Sequence, residues 1–350
     1  VVEIILMREE KMIKVTIIGA GFMGEMHAEV YRNLNKAKLA AIVDIDLKKA
    51  RSLADKYGAS AYSSLEELFN QEDIDAVDIC LPTFLHKEYA VKSARAGKDI
   101  LCEKPIALTI KDADEMIQAA KEAKVKLMIA QVIRFWQEYV ELKKIHQAGE
   151  LGKLLSITLT RLASTPTWAW NNWLADTKRS GGAFLDLHIH DTDYLLYLLG
   201  KPASLVSRIS SGRLKYAHVF TTFTFSSKII AFTEGGWDMP DNFPFTMAYT
   251  ALFEGGVVEF NSRQEKTLAI YRPGKEVEYP SVKPELKTAL SGEGNIADLG
   301  GYFSEIEYFI DCLENNEEPV EASAQSARDS LKIVLSEMES ADSGKIIEIR

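Results

Sequence analysis

The chain has 350 residues, of which 47% are hydrophobic and 26% are charged. These fractions are close to those of an average globular protein and exclude a disordered chain. The net charge is −10, and residues 291–350 hold 14 acidic against four basic side chains, so the rest of the chain is neutral. Because no basic stripe faces a phosphate backbone, we expect no nucleic-acid partner. The length suggests about two domains.

The three cysteines are an odd number, and their spacing is not that of a disulfide framework or a zinc site. Such cysteine usage indicates a reducing, cytoplasmic location. No apolar run approaches the roughly 20 residues that span a bilayer, so we expect no membrane partner. The opening VVEIILM is too short for a signal peptide, and the regular pattern begins at Lys14.

Short apolar runs alternate with helical patterns over residues 13–150, which is typical of βαβ units and a parallel sheet. The predicted strands span 14–19, 38–44, 76–82, 99–105 and 125–130. The predicted helices span 22–34, 47–57, 86–96 and 110–123. This half is predicted to be an α/β Rossmann dinucleotide-binding domain.

The pattern changes after Gly149 and Gly152, where strand-like runs follow one another with short turns. Short turns between strands favour antiparallel pairing. The predicted strands span 154–164, 218–227, 229–239, 246–256 and 257–262, and the predicted helices span 182–199, 298–315 and 323–341. Residues 151–350 are therefore predicted to form an α+β domain with a large, mainly antiparallel open sheet, whose last helices could pack back on the first domain.

The motif GAGFMG at 19–24 has G-x-G-x-x-G spacing and lies between a predicted strand and a predicted helix. In this context Gly19 allows the tight turn, Gly21 lets a diphosphate approach the backbone, and Gly24 lets the helix pack on the strand. We assign cofactor contacts to these glycines and to Phe22 and Met23 between them. The alternative is a glycine-rich turn that binds no nucleotide.

Asp44 ends the second predicted strand, 20 residues after Gly24. A carboxylate at this point hydrogen-bonds the ribose hydroxyls of NAD and repels the 2′-phosphate of NADP. The residues that follow, Ile45 and Asp46, offer no arginine to a phosphate. The sequence therefore favours NAD over NADP.

Two further groups carry candidate chemistry. Lys104 follows Glu103 at the carboxyl end of a predicted strand, the edge where open α/β sheets bind ligands. Asp186 and His190 are four residues apart, so they share one face of a helix, and a carboxylate beside an imidazole can fix its tautomer. Taken singly, each has an ordinary alternative, a surface lysine or a polar pair that caps or packs.

Five segments together carry a family resemblance: GAGFMG, LPTFLH (81–86), EKP (103–105), Arg134-Phe135 and GGAFLDLHIHDTD (181–193). Over residues 13–350 the chain resembles the glucose–fructose oxidoreductase / inositol dehydrogenase / MocA family of NAD(P)-dependent oxidoreductases. The resemblance implies that Lys104 contacts the substrate hydroxyl and the nicotinamide ribose, and that Asp186 and His190 are the catalytic pair. It implies further cofactor contacts at Pro82, Thr83, His86, Glu103 and Gln131.

The activity implied is oxidation of a secondary hydroxyl of a sugar, sugar derivative or cyclitol, with His190 as base, Asp186 as its partner and Lys104 polarising the oxygen. Two alternatives stay open: an NAD-dependent glycoside hydrolase that works by transient oxidation and elimination, and a non-catalytic NAD-sensing regulator. The resemblance also implies a homodimer or homotetramer formed through the sheet of the second domain.

Substrate contacts are expected from Arg134, Trp173 and His188. The segment 165–182 also holds Trp168 and Trp170, so its indoles either pack on sugar C–H faces or close a hydrophobic lid. We expect no metal at His188 and His190, because two residues are about 200° apart around a helix.

Overall fold

The computed structural model describes residues 12–167, 169–210, 215–282 and 299–349. Its first sheet has six parallel strands, and their continuous apolar content fits a sheet that is buried on both faces. The strands are β1 (Ile13–Ile18), β2 (Ala37–Val43), β3 (Ser60–Tyr62), β4 (Ala76–Ile79), β5 (Asp99–Glu103) and β6 (Leu127–Ala130), in the order β3-β2-β1-β4-β5-β6.

Helices connect these strands: α1 (Phe22–Asn33), α2 (Leu47–Tyr57), α3 (Leu65–Gln71), α4 (His86–Arg95) and α5 (Ile110–Ala123), with α6 (Gln137–Ala148) after the last strand. The strand order reverses between β1 and β4, which creates the crevice where open α/β sheets bind ligands. β3, α3 and α6 were not predicted. β4 and β5 are shorter than predicted, because Pro82 and Pro105 lie in turns beyond the strand ends.

The second sheet has eight strands: β7 (Leu154–Ser164), β8 (Ser204–Ile209), β9 (His218–Thr224), β10 (Ile230–Met239), β11 (Thr246–Phe253), β12 (Gly256–Asn261), β13 (Leu268–Tyr271) and β14 (Ile347–Glu348). Their order is β13-β12-β11-β7-β10-β9-β8-β14, and every neighbouring pair is antiparallel except β7 with β10. The mainly antiparallel open sheet is thereby confirmed, although β8, β13 and β14 were not predicted.

The helices of the second half are α7 (Thr177–Ser180), α8 (Ile189–Leu199), α9 (Gly300–Glu314) and α10 (Ala324–Ser343), and one π-helical turn, Phe184–His188, leads directly into α8. The predicted helix 182–199 is therefore two segments. It begins after Gly181 and Gly182, whose positive φ angles suit a turn better than a helix.

Both C-terminal helices contact the first half of the chain. Nε of Arg328 on α10 donates to Asp114 on α5 at 2.7 Å, and Nζ of Lys36, after α1, lies 2.8 Å from Asp311 on α9. These contacts fasten the C-terminal helices to the first half of the chain. The domain boundary at 150/151 falls between α6 and β7 and stays a prediction. No helix in the described ranges is both long and apolar enough to span a bilayer.

Candidate active site

A cavity of about 1930 Å³ lies between the carboxyl ends of the first sheet and the second half of the chain. Many of the predicted site residues line it: Gly19, Gly21, Phe22, Met23, Asp44, Pro82, Thr83, Glu103, Lys104, Trp173, Asp186 and His190. The fold thus brings the proposed cofactor loop and the proposed catalytic groups into one space, although more than 80 residues separate them along the chain.

The glycine-rich loop fits a diphosphate. A Cβ atom on Gly24 would lie 1.9 Å from the carbonyl oxygen of Gly19, so packing within the protein accounts for that glycine. A Cβ atom on Gly21 would meet no protein atom within 4 Å, so the open space above Gly21 is available to a ligand. Gly21 is also the N-cap of α1 and supplies no side-chain cap, which leaves the first amides of the helix open to an anion.

Asp44 connects the end of β2 to this loop. Its Oδ2 accepts a hydrogen bond from the amide of Ala20 at 2.9 Å, and its Oδ1 accepts one from the amide of Asp46 at 2.8 Å. These bonds fix the carboxylate at the cavity wall, where it can still accept from ribose hydroxyls. Lys48 and Lys49 line the same end of the cavity, and the sequence analysis did not single them out.

Lys104 follows β5 and points across the cleft. Its Nζ donates to the main-chain oxygen of Asp186 at 2.5 Å and lies 3.1 Å from Oδ1 of the same residue. The side chain of Lys104 is 15% exposed, so its ammonium group is held at the cavity by partners from the opposite side. The adjoining Lys104–Pro105 peptide is cis.

His190 lies in the first turn of α8 and lines the cavity. Its Nδ1 is enclosed and has no partner among the described residues, whereas Nε2 is not enclosed and is left to face the cavity. Burial lowers the pKa of His190 well below its usual range, and the cations Lys104 and Arg161 lower it further. The imidazole is therefore neutral at pH 7 and can accept a proton.

The hydrogen bond expected between Asp186 and His190 is not formed among the described residues, and their joint catalytic role stays a prediction. In the described part of the chain, the Asp186 carboxylate is engaged by Lys104, and no hydrogen bond joins it to His190. The physical reason is charge, because an ammonium ion attracts a carboxylate more strongly than a neutral imidazole does. Asp186 therefore holds Lys104 in place rather than His190.

Two of the residues expected to contact substrate do not reach the cavity. The guanidinium of Arg134 is buried and donates to Asp193 through Nε at 2.8 Å and Nη2 at 2.6 Å. Nη1 donates to the main-chain oxygen of Glu321 at 2.7 Å. His188 is also buried, with Nε2 at 2.6 Å from Oε2 of Glu337 on α10. Both expectations are corrected. Arg134 joins α8 to the segment before α10, and His188 joins the turn before α8 to α10 itself.

His86 and Gln131 also lie behind the cavity wall, since neither lines it. His86 is buried between the carbonyl oxygens of Pro105, 2.9 Å from Nδ1, and Leu81, 2.8 Å from Nε2. Burial lowers the pKa of His86. It therefore joins the loop after β4 to the turn that carries Lys104. The amide atoms of Gln131 are buried, and neither has a partner in the described ranges.

A buried polar cluster beneath the glycine-rich loop was not predicted. Nδ1 of His27 lies 2.8 Å from Oδ2 of Asp78. Nε2 of His27 lies 3.2 Å from Oε1 of Glu103, close enough for an ion pair, but the geometry of this second contact is not that of a hydrogen bond. Burial opposes the charged form of His27, but Asp78 and Cys80 outweigh it and raise its pKa. Potential metal-ligand atoms of His27, Asp78 and Cys80 lie within 4.8 Å of one another, yet His27 and Asp78 already bond each other directly.

Glu305 on α9 adjoins this cluster. Both of its carboxyl oxygens are enclosed and have no hydrogen-bond partner in the described ranges. Burial and the nearby Glu103 raise the pKa of Glu305 well above its usual range. By contrast, the pKa of Glu103 is lowered: burial acts against ionisation, but His27 and Lys104 outweigh it.

Aromatic side chains stand at one wall of the cavity. Trp170 and Trp173 line it, and the ring of Trp173 meets Phe84 edge to face at 6.4 Å between centroids. The guanidinium of Arg179 lies 4.4 Å from the centroid of Phe84 and 5.9 Å from that of Trp170. Trp168 lies outside the described residues. The wall is therefore fitted both to cover the cleft and to contact a sugar face.

The second half of the chain also contributes lining residues that the sequence analysis missed, namely Arg161, Phe245, Met247, Phe260, Ser262 and Thr267. One signal could have found Arg161. In ITLTRLA (157–163) the residues alternate between the two faces of the sheet, and Arg161 occupies a position on the apolar, inward face. A cation in such a position needs a partner or a ligand.

Comparisons with known proteins agree with this geometry. Residues 13–131 match the family described as "Oxidoreductase family, NAD-binding Rossmann fold", and residues 139–258 match the "GFO/IDH/MocA C-terminal domain". The matched first segment confirms NAD as the cofactor and rules out the turn without a nucleotide.

Two curated relatives are informative. The chain is 35% identical over 191 residues to the myo-inositol 2-dehydrogenase of Thermotoga maritima, covering 54% of this chain and 55% of the relative. It is 30% identical over 190 residues to the 2,7-anhydro-N-acetylneuraminate hydratase of Mediterraneibacter gnavus, covering 54% and 50%. The chain thus spans about half the length of these relatives.

Solved structures share the fold over nearly the whole chain. An oxidoreductase from Agrobacterium radiobacter, in complex with NAD+, L-tartaric acid and magnesium, superposes with a TM-score of 0.84 at 20% identity, covering 97% of this chain and 98% of the other. A levoglucosan dehydrogenase with NADH and levoglucosan gives 0.82 at 22%, covering 97% and 100%. With both of its family segments matched across more than half of its length, this chain belongs to the GFO/IDH/MocA family of oxidoreductases.

Proposed function

We propose that this protein uses NAD to oxidise a secondary hydroxyl group of a sugar, sugar derivative or cyclitol. The observation that carries the proposal is that Lys104 and His190 line the same cavity as the glycine-rich loop. Relatives named myo-inositol 2-dehydrogenase, inositol 2-dehydrogenase and D-glucoside 3-dehydrogenase support this substrate class.

The residues divide the work as follows. His190, kept neutral by burial, accepts the proton of the hydroxyl group. Lys104 donates a hydrogen bond to the same oxygen and stabilises the negative charge that develops there. Asp186 holds the ammonium group of Lys104 at the cavity. When bound, NAD supplies the hydride acceptor.

The cofactor end of the cavity binds and orients. The open amides after Gly21 suit the diphosphate, and Asp44 suits the adenosine ribose. Glu103 accepts from the amide of Lys104 at 3.0 Å, so it orients the turn that presents the lysine. Trp170 and Trp173 cover the opposite wall and reduce the access of water.

A second candidate is a hydrolase or hydratase that oxidises its substrate transiently and restores the cofactor. The observation in its favour is that two relatives, from Mediterraneibacter gnavus and Escherichia coli, are named 2,7-anhydro-N-acetylneuraminate hydratase. It predicts turnover of a nitrophenyl glycoside without net NADH. A non-catalytic NAD-sensing regulator would have no use for reactive groups in the cavity, yet Lys104, Asp186 and His190 all line it.

A homodimer or homotetramer through the second sheet is part of this proposal. Residues on the inward face of this sheet contact the helices, as where Thr221 on β9 donates to Glu337 at 2.8 Å. Ile230, Leu252 and Tyr271 lie on the opposite face and are 53%, 41% and 38% exposed. Light scattering tests it: an assembly is expected for the native chain, and Ile230→Glu with Leu252→Glu should give a monomer. A native monomer would oppose it.

A cytoplasmic location also stays a proposal, supported by three cysteines that form no disulfide with one another. The chemistry is tested by titrating the protein with NAD and NADP separately, then screening inositols, free sugars and nucleotide sugars for NADH formation. NADH growth with one substrate class supports the dehydrogenase. Tight NAD binding without reduction by any of them transfers support to the second candidate or to the regulator.

A further inference from the structure

Arg161 lies in β7 with its side chain on the inward face of the second sheet, where it is 2% exposed. A cation buried to this extent is costly unless it is paired. Its partner is Asp191, the residue after His190: Nε of Arg161 lies 3.1 Å from Oδ2 of Asp191, and Nη2 lies 2.8 Å from Oδ1. The arginine is therefore fixed to the helix that carries the proposed base.

The three guanidinium nitrogens are used unequally. Nη2 also donates to the hydroxyl oxygen of Tyr139 at 3.2 Å. Nη1 has no acceptor in the described ranges, and it is not among the enclosed polar atoms that lack a partner. Because Arg161 lines the cavity, the small exposed part of this side chain faces that space. The guanidinium thus presents one donor edge to a ligand and uses the other edge for the protein.

The charge balance limits what this edge can bind. Asp191 compensates Arg161, and Asp186 compensates Lys104, so each cation belongs to a neutral pair. The neighbouring wall contains the apolar side chains of Phe245, Met247 and Phe260. A phosphate or carboxylate placed here would find no uncompensated cation among these groups, whereas a hydroxyl or ring oxygen needs only a donor.

We propose that Arg161 is a substrate-binding residue whose Nη1 donates a hydrogen bond to an oxygen of a neutral sugar or cyclitol held for oxidation at His190. The inference rests on the proposed function. Arg161 selects the substrate by its buried donor, since a molecule without the matching oxygen leaves that donor unpaired. It takes no part in proton or hydride transfer.

The test compares Arg161→Lys with the matched control Tyr139→Phe. Lysine keeps the charge beside Asp191 but lacks the planar fork, so it cannot reach both the carboxylate and the cavity. Tyr139→Phe removes the other partner of Nη2, on the side away from the cavity. The probes are myo-inositol, levoglucosan and methyl β-D-glucoside, and the one that the native enzyme oxidises fastest is used throughout.

For Arg161→Lys we expect the KM of that substrate to rise about 10- to 100-fold, the value of a hydrogen bond to a charged group. We expect the KM for NAD and kcat to change less than threefold, and Tyr139→Phe to keep the substrate KM within twofold. If Arg161→Lys does not fold, as judged from its thermal unfolding, the double variant Arg161→Gln/Asp191→Asn is measured in its place, with the same expectations, because it buries no unpaired charge.

An unchanged substrate KM in the arginine variant overturns the assignment of Arg161 and leaves the proposed function intact. Equal losses for NAD and substrate overturn it as well, since they indicate a merely structural role. If the native enzyme oxidises none of the three probes, the proposed function for these substrates fails, and the role of Arg161 fails with it. The activity of the native enzyme therefore distinguishes the two failures.

Discussion

Nζ of Lys104 lies 3.1 Å from Oδ1 of Asp186 and 2.5 Å from the main-chain oxygen of the same residue. The two residues are 82 positions apart and come from opposite sides of the cleft, one after β5 and the other in the π-helical turn before α8. The pair therefore joins the cofactor side of the site to the helix that carries His190. In the proposed mechanism, the hydroxyl group of the substrate lies beside this contact.

Replacing Lys104 tests its role as the group that polarises the substrate oxygen. We expect Lys104→Met to lower kcat at least ~100-fold, because a preorganised donor is lost where charge develops. NAD affinity should stay within threefold, since the diphosphate and ribose contacts are elsewhere. Lys87→Met is the control, because Lys87 pairs with Asp112 and Glu115 outside the cavity. Activity of Lys104→Met within threefold of the native enzyme would contradict the assignment.

Two glycines of the same motif should respond differently to alanine. Gly21→Ala is expected to keep the melting temperature, since its Cβ meets no protein atom, and to weaken NAD binding at least ~10-fold because the methyl group takes the space of the diphosphate. Gly24→Ala should destabilise the protein, since its Cβ would lie 1.9 Å from a carbonyl oxygen. Calorimetry and NAD titration measure both. Unchanged NAD affinity in Gly21→Ala would place the diphosphate elsewhere.

The protonation of His190 can be followed directly. The chain has six histidines, and the signal absent from His190→Asn identifies the imidazole in NMR spectra. We expect its pKa below the usual value of about 6.5, because burial and the cations Lys104 and Arg161 disfavour the charged form. Activity should then fall only as the pH drops through this lowered pKa. Lys104→Met should raise the pKa of His190, and a native value at or above 6.5 would refute the account.

Glu305 should make stability depend on pH. Folding raises the pKa of this carboxyl group. Its contribution to stability is therefore complete below the unfolded pKa of about 4.3, and it is lost as the pH rises from there toward the folded pKa. The side chain in Glu305→Gln cannot ionise. The difference in unfolding free energy between this variant and the native chain should therefore shift in favour of the variant by up to about 1.4 kcal/mol per pH unit above pH 4.3. The exposed Glu307→Gln is the control. Parallel stability curves for Glu305→Gln and the native chain would show that Glu305 is ionised.

Arg134 is expected to matter for stability and not for substrate binding. Arg134→Met leaves the buried Asp193 without its main partner, which should cost about 3–5 kcal/mol of unfolding free energy. Below its melting temperature the variant should keep the native KM for substrate. A raised KM with unchanged denaturation would restore the role that the sequence suggested.

The features predicted well were those that local sequence determines. The strand, glycine-rich turn and helix at 14–34 follow from a buried apolar run and from glycines that packing requires, and the lysine after β5 follows from the direction of parallel strands. The mainly antiparallel second sheet followed from its short connections. Each of these inferences needs only a few neighbouring residues.

The errors concern partners that are distant in sequence. Arg134 has the appearance of a site residue, but its partner Asp193 is 59 residues away and both are buried. Asp186 and His190 share the spacing of a helical pair, yet Lys104, which follows β5 on the other side of the cleft, contacts the carboxylate. Glu305 and His27 form their cluster only when α9 packs against α1. Such choices depend on tertiary contacts that no local pattern encodes.

The most direct test of the central claim is NADH formation by the native enzyme, with Lys104→Met and His190→Asn measured beside it. We expect NADH to accumulate with at least one compound among the inositols, levoglucosan and methyl glucosides, and both variants to bind NAD normally while forming NADH at least ~100-fold more slowly. The account is contradicted if either variant keeps the native rate. It is contradicted equally if the native protein binds NAD and reduces it with none of these compounds.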